Sequence, residues 1–134
     1  MFLFYQIILS LLLIISPFII IYRIFKNKED KKRFLEKFSI PSKKKSGSKL
    51  IWFHGASVGE ILSIIPLIRN YENNQLIDQI LVTTGTLSSS KIVKRFKFKK
   101  TIHQFYPIDH IYFTSKFLKY WKPNFAIFID SEIW

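Results

Sequence analysis

The residues best suited to chemistry lie in one short loop, residues 54–60, with the sequence HGASVGE. An apolar run at 50–53 predicts a buried strand before this loop, and apolar residues at helical spacing follow it. Ser57 and Glu60 have the spacing of a capping box, in which each side chain binds a free N–H group at the start of a helix. At the same place, a carboxylate could accept a proton from a hydroxyl nucleophile. The spacing therefore leaves Glu60 with two compatible roles, a structural cap and a general base.

Three other residues of this loop are candidates for a binding site. Gly55 and Gly59 would allow the backbone to turn sharply and to approach a ligand closely. His54 could bind a phosphate or act in catalysis, or it could be a packed, hydrogen-bonded side chain. His103 and His110 show no metal-ligand spacing with His54, and the chain contains no cysteine. We therefore predict neither a metal site nor a cofactor, and disulfides and thiol catalysis are excluded.

A second group of candidates follows the apolar run at 125–129, which predicts another strand. Asp130 and Glu132 flank Ser131 at the carboxyl end of this strand. The two acids could fix the neighbouring loop or stabilise developing positive charge. Asp130 or Ser131 could instead cap a helix.

The elements that must position these residues alternate between strand and helix. The predicted strands are 50–53, 79–83, 101–106 and 125–129, and the predicted helices are 61–71, 87–96 and 109–121. Asp109 is expected to cap the last helix, and Pro66 to bend or shorten the first. The alternation predicts an α/β fold with a Rossmann-like parallel sheet, in which ligands bind at the carboxyl ends of the strands. The loops 54–60, 84–86 and 130–132 would meet at that edge.

The first part of the chain has a different character. Residues 2–22 carry no charged side chain, and their length suits one transmembrane helix. A cleaved signal peptide is the alternative, but no basic residue precedes the apolar run and no small-residue cleavage site follows it. We therefore predict a retained, single-pass membrane anchor over residues 1–23.

A basic segment, residues 24–48, follows the predicted anchor. From Arg23 to Lys49 the chain has eleven Lys or Arg residues and three acidic ones. Positive residues close to a membrane span remain in the cytoplasm, so we expect the rest of the chain on the cytoplasmic side. Residues 26–37 could form an amphipathic helix on the membrane, and 41–48 is typical of a flexible linker.

The formal net charge of +12 lies entirely after residue 22. Such a charge favours polyanions, namely nucleic acid, phosphorylated small molecules or anionic lipid head groups, although lysines can also simply form a solvated surface. The basic cluster between Lys91 and Lys100 has the same two interpretations. No recognised nucleic-acid module matches the sequence, so nucleic acid is not an expected partner.

Several of these segments together closely resemble the opening of the 3-deoxy-D-manno-octulosonic acid (Kdo) transferases. The segments are 51–60 (IWFHGASVGE), 66–69 (PLIR), 82–86 (VTTGT), 106–109 (YPID) and 130–134 (DSEIW). They follow in the same order and at matching intervals, and the apolar N-terminus with its basic flank agrees with the same family. The resemblance spans essentially the whole chain.

This resemblance implies the N-terminal half of a two-domain GT-B glycosyltransferase, with residues 49–134 as a partial N-terminal domain and the C-terminal domain absent. Family members transfer Kdo from CMP-Kdo to a sugar hydroxyl of the lipid A precursor (lipid IVA), at the cytoplasmic face of the inner membrane. The resemblance makes Glu60 the proton acceptor. It makes Asp130 the transition-state stabiliser, a position where the family commonly has Glu. The residues that would support the active-site loop are His54, Gly55, Ser57, Gly59 and Glu132.

Length is the main departure from the family. Most nucleotide-sugar contacts of a GT-B enzyme lie in the C-terminal domain, so this chain alone is expected to be inactive, as a truncated, split or partial enzyme. The alternative is a non-catalytic, membrane-tethered module that binds acidic glycolipid or a partner protein.

Overall fold

Four parallel strands form one sheet in the computed structural model, which describes residues 2–129 apart from the side chains of residues 2, 3, 6 and 9. The strands are β1 (Leu50–His54), β2 (Gln79–Thr84), β3 (Thr101–Phe105) and β4 (Phe125–Phe128). β1 and β2 are buried along almost their whole length, as expected for central strands of a parallel sheet that is covered on both faces. All four predicted strands are confirmed, each to within one residue at its ends.

The helices connect these strands. They are α1 (Phe2–Phe25), α2 (Val58–Glu72), α3 (Leu87–Arg95) and α4 (Ile111–Trp121), with a short 3-10 helix, Phe34–Phe38, between α1 and β1. The side chain of Ser57 caps α2, and the side chain of Thr86 caps α3. Each cap accepts a hydrogen bond from a backbone N–H that has no partner within its helix, which fixes where the helix begins.

The sheet separates two hydrophobic cores. On one face, Ile51 and Phe53 of β1 pack with the buried isoleucines of α2 and with Val93 of α3. On the other face, Trp52 packs with Phe117 and other side chains of α4. Alternate residues of β1 supply the two cores because successive side chains of a strand point to opposite faces. The α/β/α layering confirms that the fold is of the α/β class.

The strand order, β3-β2-β1-β4, fits the Rossmann-like sheet that the sequence predicts. After β3 the chain crosses on the α4 face and returns beside β1 as β4. The order therefore changes direction between β1 and β4, and ligands of such sheets bind at this switch point, outside the carboxyl ends of the strands. β4 is the outer strand on this side, and Phe125 and Phe128 are 69% and 46% exposed.

Among the residues described, no helix combines the length and the apolar character needed to cross a membrane. The predicted transmembrane anchor over residues 1–23 is therefore not supported, although the helix α1 covers most of that range. α1 lies beside the loop that precedes α4, where the Tyr5 hydroxyl donates to Asp109 Oδ2 at 2.9 Å.

The predicted amphipathic helix over residues 26–37 is wrong. Only the 3-10 helix forms there, and Glu36 within it is 1% exposed. The reason is that the acidic residues of the segment face the protein. Glu36 pairs with Arg33 at 2.8 Å, and Glu29 pairs with Lys37 at 2.6 Å. Both ion pairs lie within the segment, and Arg33 and Glu36 also bond to His103 and Phe105 of β3, which holds the segment against the protein.

The segment 41–48, expected to be a flexible linker, is hydrogen-bonded to the start of β2 and the residue before it. The N–H of Ser46 donates to Gln79 Oε1 at 2.9 Å, and the N–H of Ser48 donates to Asp78 Oδ2 at 2.7 Å. The basic segment therefore follows a defined path along the sheet.

Two smaller expectations about helix ends are also corrected. α4 begins at Ile111, so Asp109 is too far from its first turn, and the ring of His110 accepts the hydrogen bond from the N–H of Tyr112 instead. Pro66 does not shorten α2, which continues through it to Glu72. Pro66 and Leu62, whose carbonyl loses its helical donor, are both exposed, so water can replace the lost bond.

Candidate functional site

The loop after β1 places the Glu60 carboxylate at the switch point of the sheet. Ser57 Oγ accepts a hydrogen bond from the N–H of Glu60 at 3.2 Å, and Glu60 Oε2 accepts one from the N–H of Ala56 at 2.7 Å. The predicted capping box therefore forms, with the carboxylate reaching one residue further back than the usual pattern. The Glu60 side chain remains partly exposed. Capping thus fixes this carboxylate at the sheet edge without burying it.

His54 is a second candidate side chain at this edge, and it is partly buried. Its Nδ1 lies 2.9 Å from Thr83 Oγ1, and its ring centroid lies 4.2 Å from that of Tyr106. Burial lowers the pKa of His54, against opposing contributions from a hydrogen bond with the Thr83 backbone and from the negative charge of Glu60. A ring that is neutral at pH 7 suits hydrogen bonding to a hydroxyl better than charge-based binding of a phosphate.

The two glycines of the loop act differently from the sequence-based expectation. Neither Gly55 nor Gly59 has a positive φ angle, so neither is required for a left-handed turn. A Cβ atom on Gly55 would lie 2.9 Å from Ile61 Cδ1, whereas one on Gly59 would meet nothing closer than 4.0 Å, at Ser57 Oγ. Gly55 is therefore needed for close packing of the loop on α2, and Gly59 leaves open space.

An aromatic cluster beside His54 was missed by the sequence analysis. Trp52 lies 5.0 Å from Phe128 and 6.3 Å from Tyr106 between ring centroids, and His54 lies 5.7 Å from Phe128. Burial, with a further contribution from the charge of Asp109, raises the pKa of Tyr106. The sequence did contain a signal for this cluster. Tyr106 follows β3 and Phe128 ends β4, and the carboxyl ends of these strands meet at this edge.

Asp130 and Glu132 lie outside the described residues, as does the segment 130–134. The last described residue, Ile129, donates its N–H to the carbonyl of His54 at 2.9 Å. The described part of the chain therefore ends at Ile129, beside the start of the loop that carries Glu60.

The basic cluster between Lys91 and Lys100 is not part of this edge. It covers α3 and the turn that leads into the start of β3. Because α3 runs back against the direction of the strands, its end and this turn lie toward the amino edge of the sheet. Within residues 2–129, no group of three or more His, Asp or Glu side chains could hold a metal ion.

Comparison with known proteins identifies the family of this chain. A sequence model described as 3-deoxy-D-manno-octulosonic-acid transferase (kdotransferase) matches residues 32–134. The 3-deoxy-D-manno-octulosonic acid transferase of Rickettsia bellii is 42% identical over 127 residues, which are 94% of this chain and 30% of that protein. The enzyme of the same name from Rickettsia felis is 46% identical over 95 residues, 71% of this chain and 20% of that protein.

A more distant relative has the same name. The 3-deoxy-D-manno-octulosonic acid transferase of Haemophilus influenzae is 30% identical over 84 residues, covering 63% of this chain and 20% of that protein. No solved structure is a significant match. The chain spans 30% or less of the length of these three relatives. The sequence resemblance is confirmed, and the chain belongs to the 3-deoxy-D-manno-octulosonic acid transferase family.

Proposed function

We propose that this chain supplies the N-terminal, acceptor-side part of a GT-B glycosyltransferase that transfers Kdo from CMP-Kdo to the lipid A precursor, lipid IVA. Residues 49–134 would form part of the N-terminal domain, and the remainder of a longer protein would make most contacts with CMP-Kdo. Family membership supports the reaction class. One observation supports the choice of base: the Glu60 carboxylate is fixed 2.7 Å from the N–H of Ala56 and stays partly exposed at the switch point.

In the proposed reaction, a hydroxyl of the acceptor sugar attacks the anomeric carbon of Kdo. The new carbon–oxygen bond forms as the bond from that carbon to the phosphate oxygen breaks, and CMP leaves. The hydroxyl proton passes to the Glu60 carboxylate. The hydrogen bond from Ala56 orients the carboxylate before the acceptor arrives, so less conformational freedom is lost on reaching the transition state.

The other candidate residues would bind or stabilise. Neutral His54, beside Tyr106, would hydrogen-bond a hydroxyl of the acceptor sugar. Asp130 would stabilise the positive charge that develops at the anomeric carbon, and Glu132 would support the loop that carries it. Gly55 and Ser57 would shape the loop around Glu60, and Gly59 would leave open space beside it.

The test is a chimera in which this chain replaces the segment that it matches in the Rickettsia bellii relative. The chimera should transfer Kdo from CMP-Kdo to lipid IVA, and the chain alone should not. Glu60→Gln keeps an oxygen that can accept from Ala56 but cannot take the proton, so kcat should fall by about 10²–10⁴-fold with unchanged thermal unfolding.

Glu72→Gln is the matched control for this substitution. Glu72 is the last residue of α2, which has Glu60 in its first turn, and the Glu72 carboxylate also accepts backbone N–H groups, from Lys99 and Lys100. Because it lies at the opposite edge of the sheet, its substitution should leave kcat unchanged. A fully active Glu60→Gln chimera would leave Glu60 only its capping role, and would favour the alternative of a non-catalytic module that binds acidic glycolipid.

We also propose that the protein associates with the cytoplasmic face of the inner membrane through the surface of α1. Ile14, Phe18 and Phe25 are 70%, 72% and 82% exposed, and exposed apolar surface of this extent is typical of a contact with lipid or protein. Arg23 in the last turn of the same helix, which is partly exposed although it pairs with Glu29, and Lys26 just after the helix could contact anionic head groups. The hydrogen bond between Tyr5 of α1 and Asp109 joins this helix to the loop before α4. It would therefore hold the candidate site near the lipid-borne acceptor.

Flotation with vesicles that contain phosphatidylglycerol tests this association. The chimera should float with the vesicles, and less so at high salt because the head-group attraction is screened. Phe18→Asp should reduce binding. The control is Leu76→Asp, because Leu76 is 66% exposed and lies in the turn before β2. This substitution should leave binding unchanged. Equal flotation of both variants would contradict a role for α1.

A further inference from the structure

A buried carboxylate outside the candidate site organises the segment before β1. Glu36 accepts two hydrogen bonds from Arg33, one from Nε and one from Nη2, each at 2.8 Å. It also accepts from the N–H of Phe105 at 2.8 Å and from the hydroxyl of Ser42. Each carboxylate oxygen is therefore satisfied twice, so the buried Glu36 has both oxygens partnered beside a partly buried Arg33. Through the hydrogen bond from Phe105, the ion pair attaches the segment before β1 to the carboxyl end of β3.

The guanidinium of Arg33 continues this network into the sheet. Its Nη2 lies 2.9 Å from Nδ1 of His103 and 2.7 Å from the carbonyl oxygen of the same residue. A guanidinium can only donate hydrogen bonds, so Nδ1 of His103 must be the acceptor. The ring proton is thereby assigned to Nε2. Burial, followed by the charges of Arg33 and Lys94, lowers the pKa of His103 to about 3, so the ring stays neutral.

With the ring proton on Nε2, the donor and the acceptor of each following hydrogen bond can also be assigned. Nε2 of His103 lies 2.9 Å from Thr84 Oγ1 and donates to it. The hydroxyl of Thr84 then donates to the carbonyl of Thr86 at 3.3 Å. Thr86 in turn caps α3 through the N–H of Ser89, at 3.2 Å. Arg33 Nη2 shares its two hydrogens among Glu36, the His103 carbonyl and Nδ1, whereas the proton at Nε2 has Thr84 Oγ1 as its acceptor and so orients the Thr84 hydroxyl toward the turn 84–86.

The turn 84–86 lies at the functional edge of the sheet. It follows β2, the strand next to β1, and so it is adjacent to the loop that carries Glu60. At the end of β3, the N–H of Tyr106 donates to the carbonyl of Thr84 at 2.9 Å, and the Tyr106 ring packs on His54. The series that starts at Arg33 therefore reaches two residues that border the candidate site.

We propose that His103 is a positioning residue of the transfer reaction, which links the docked Arg33–Glu36 segment, through Thr84, to the turn 84–86 that forms one wall of the acceptor site. Its kinetic consequence rests on the proposed function, whereas its structural consequence does not. His103 does not touch the acceptor; it holds the turn that does.

The experiment compares His103→Gln with His103→Leu in the chimera. Glutamine can accept from Arg33 with its oxygen and donate to Thr84 with its nitrogen, whereas leucine does neither. In the leucine variant, amide hydrogen exchange of Gly85, Thr86 and Ser89 should become about tenfold faster, as expected for the loss of one buried hydrogen bond. The glutamine variant should stay within about twofold of the parent, and exchange in α2 should not change.

Two further measurements separate positioning from a general loss of stability. In the parent chimera, nitrogen NMR should show the His103 proton on Nε2, without titration between about pH 5 and 8. The KM for lipid IVA should rise about tenfold in His103→Leu and recover in His103→Gln, because the loss is one hydrogen bond to the acceptor wall. The KM for CMP-Kdo should stay constant in both variants.

Several outcomes would overturn the proposal. A proton on Nδ1, or equal loop exchange in the glutamine and leucine variants, would show that the series does not hold the turn. If His103→Leu fails to fold, a comparison of Thr84→Val with Thr84→Ser tests the next hydrogen bond of the series. Equal loop exchange in these two variants would also overturn the proposal. A parent chimera without transferase activity would refute the proposed function, while the exchange and NMR results would still decide the structural link.

Discussion

Thr83 Oγ1 lies 2.9 Å from His54 Nδ1, across the boundary between β2 and β1. The same oxygen accepts from the indole Nε1 of Trp52 at 2.8 Å, and Thr83 is fully buried. Because an indole N–H can only donate, the hydroxyl hydrogen of Thr83 is left for His54 or for the more distant carbonyl of Phe53, at 3.4 Å. One threonine thus connects the buried centre of the sheet to the partly exposed His54.

Removing this hydroxyl should be costly. Thr83→Val keeps the shape of the side chain but leaves the buried indole N–H of Trp52 without an acceptor, so the free energy of unfolding should fall by about 1–3 kcal/mol. Thr83→Ser keeps the hydroxyl and loses one methyl group, which should cost about 1 kcal/mol. Urea unfolding of the chimera, followed by tryptophan fluorescence, measures both. Equal losses in the two variants would mean that the hydroxyl contributes nothing.

The ionisation of His54 should respond to Glu60 in a defined direction. Burial lowers the pKa of His54, and the negative charge of Glu60 partly opposes this by favouring the protonated ring. Glu60→Gln removes that charge, so the pKa of His54 should fall further below 6.5. Titration of the His54 ring by NMR measures this pKa in the parent and in Glu60→Gln. An increase in the pKa would show that the two residues do not face each other.

The two glycines of the loop should differ sharply in their tolerance of a methyl group. Gly55→Ala would place Cβ 2.9 Å from Ile61 Cδ1 and 3.3 Å from Glu60 Cβ, so the fully buried Ile61 side chain or the loop must shift. Overpacking of this kind typically costs about 1–3 kcal/mol, and here it would also displace Glu60 and reduce kcat. Gly59→Ala meets open space inside a helix and should be neutral or slightly stabilising. Thermal unfolding and kcat of the two chimeras provide the comparison.

His103 should make stability depend on pH in the acidic range. Its pKa is 6.5 when unperturbed and about 3 in the folded protein, so below pH 6.5 the unfolded chain binds a proton that the folded chain does not. The stability is therefore complete above pH 6.5 and falls as the pH falls toward 3, by about 1.4 kcal/mol per pH unit. His103→Gln lacks this dependence. A constant difference between parent and variant from pH 7 to 4 would contradict it.

Local patterns in the sequence predicted the sheet and the capping box. The runs at the centres of β1 and β2, residues 50–53 and 80–82, are continuously apolar because both faces of those strands are covered, and no helix pattern competes with them. Ser57 and Glu60 meet because their contact depends on a spacing of three residues, which any helix start of this type satisfies. Features of this kind are encoded within a few positions.

Contacts between distant segments could not be predicted in this way. Arg33 and His103 are 70 positions apart, and nothing in either neighbourhood marks them as partners. Glu36 lies in a strongly basic segment that has the composition of a solvated surface, yet tertiary packing buries it. Asp109 was expected to be a helix cap because aspartate favours that position, but the helix starts later and His110 takes the role.

The exposed edge of β4 has a practical consequence for handling the polypeptide by itself. In the part of the chain that the structure describes, no strand pairs with its outer side, where Phe125 also lies uncovered. An open, apolar edge is a template for other extended chains, so concentrated preparations of the isolated polypeptide should form β-rich aggregates. Phe125→Lys would place a charge on that edge and should keep such preparations clear, since charged edge residues oppose strand addition.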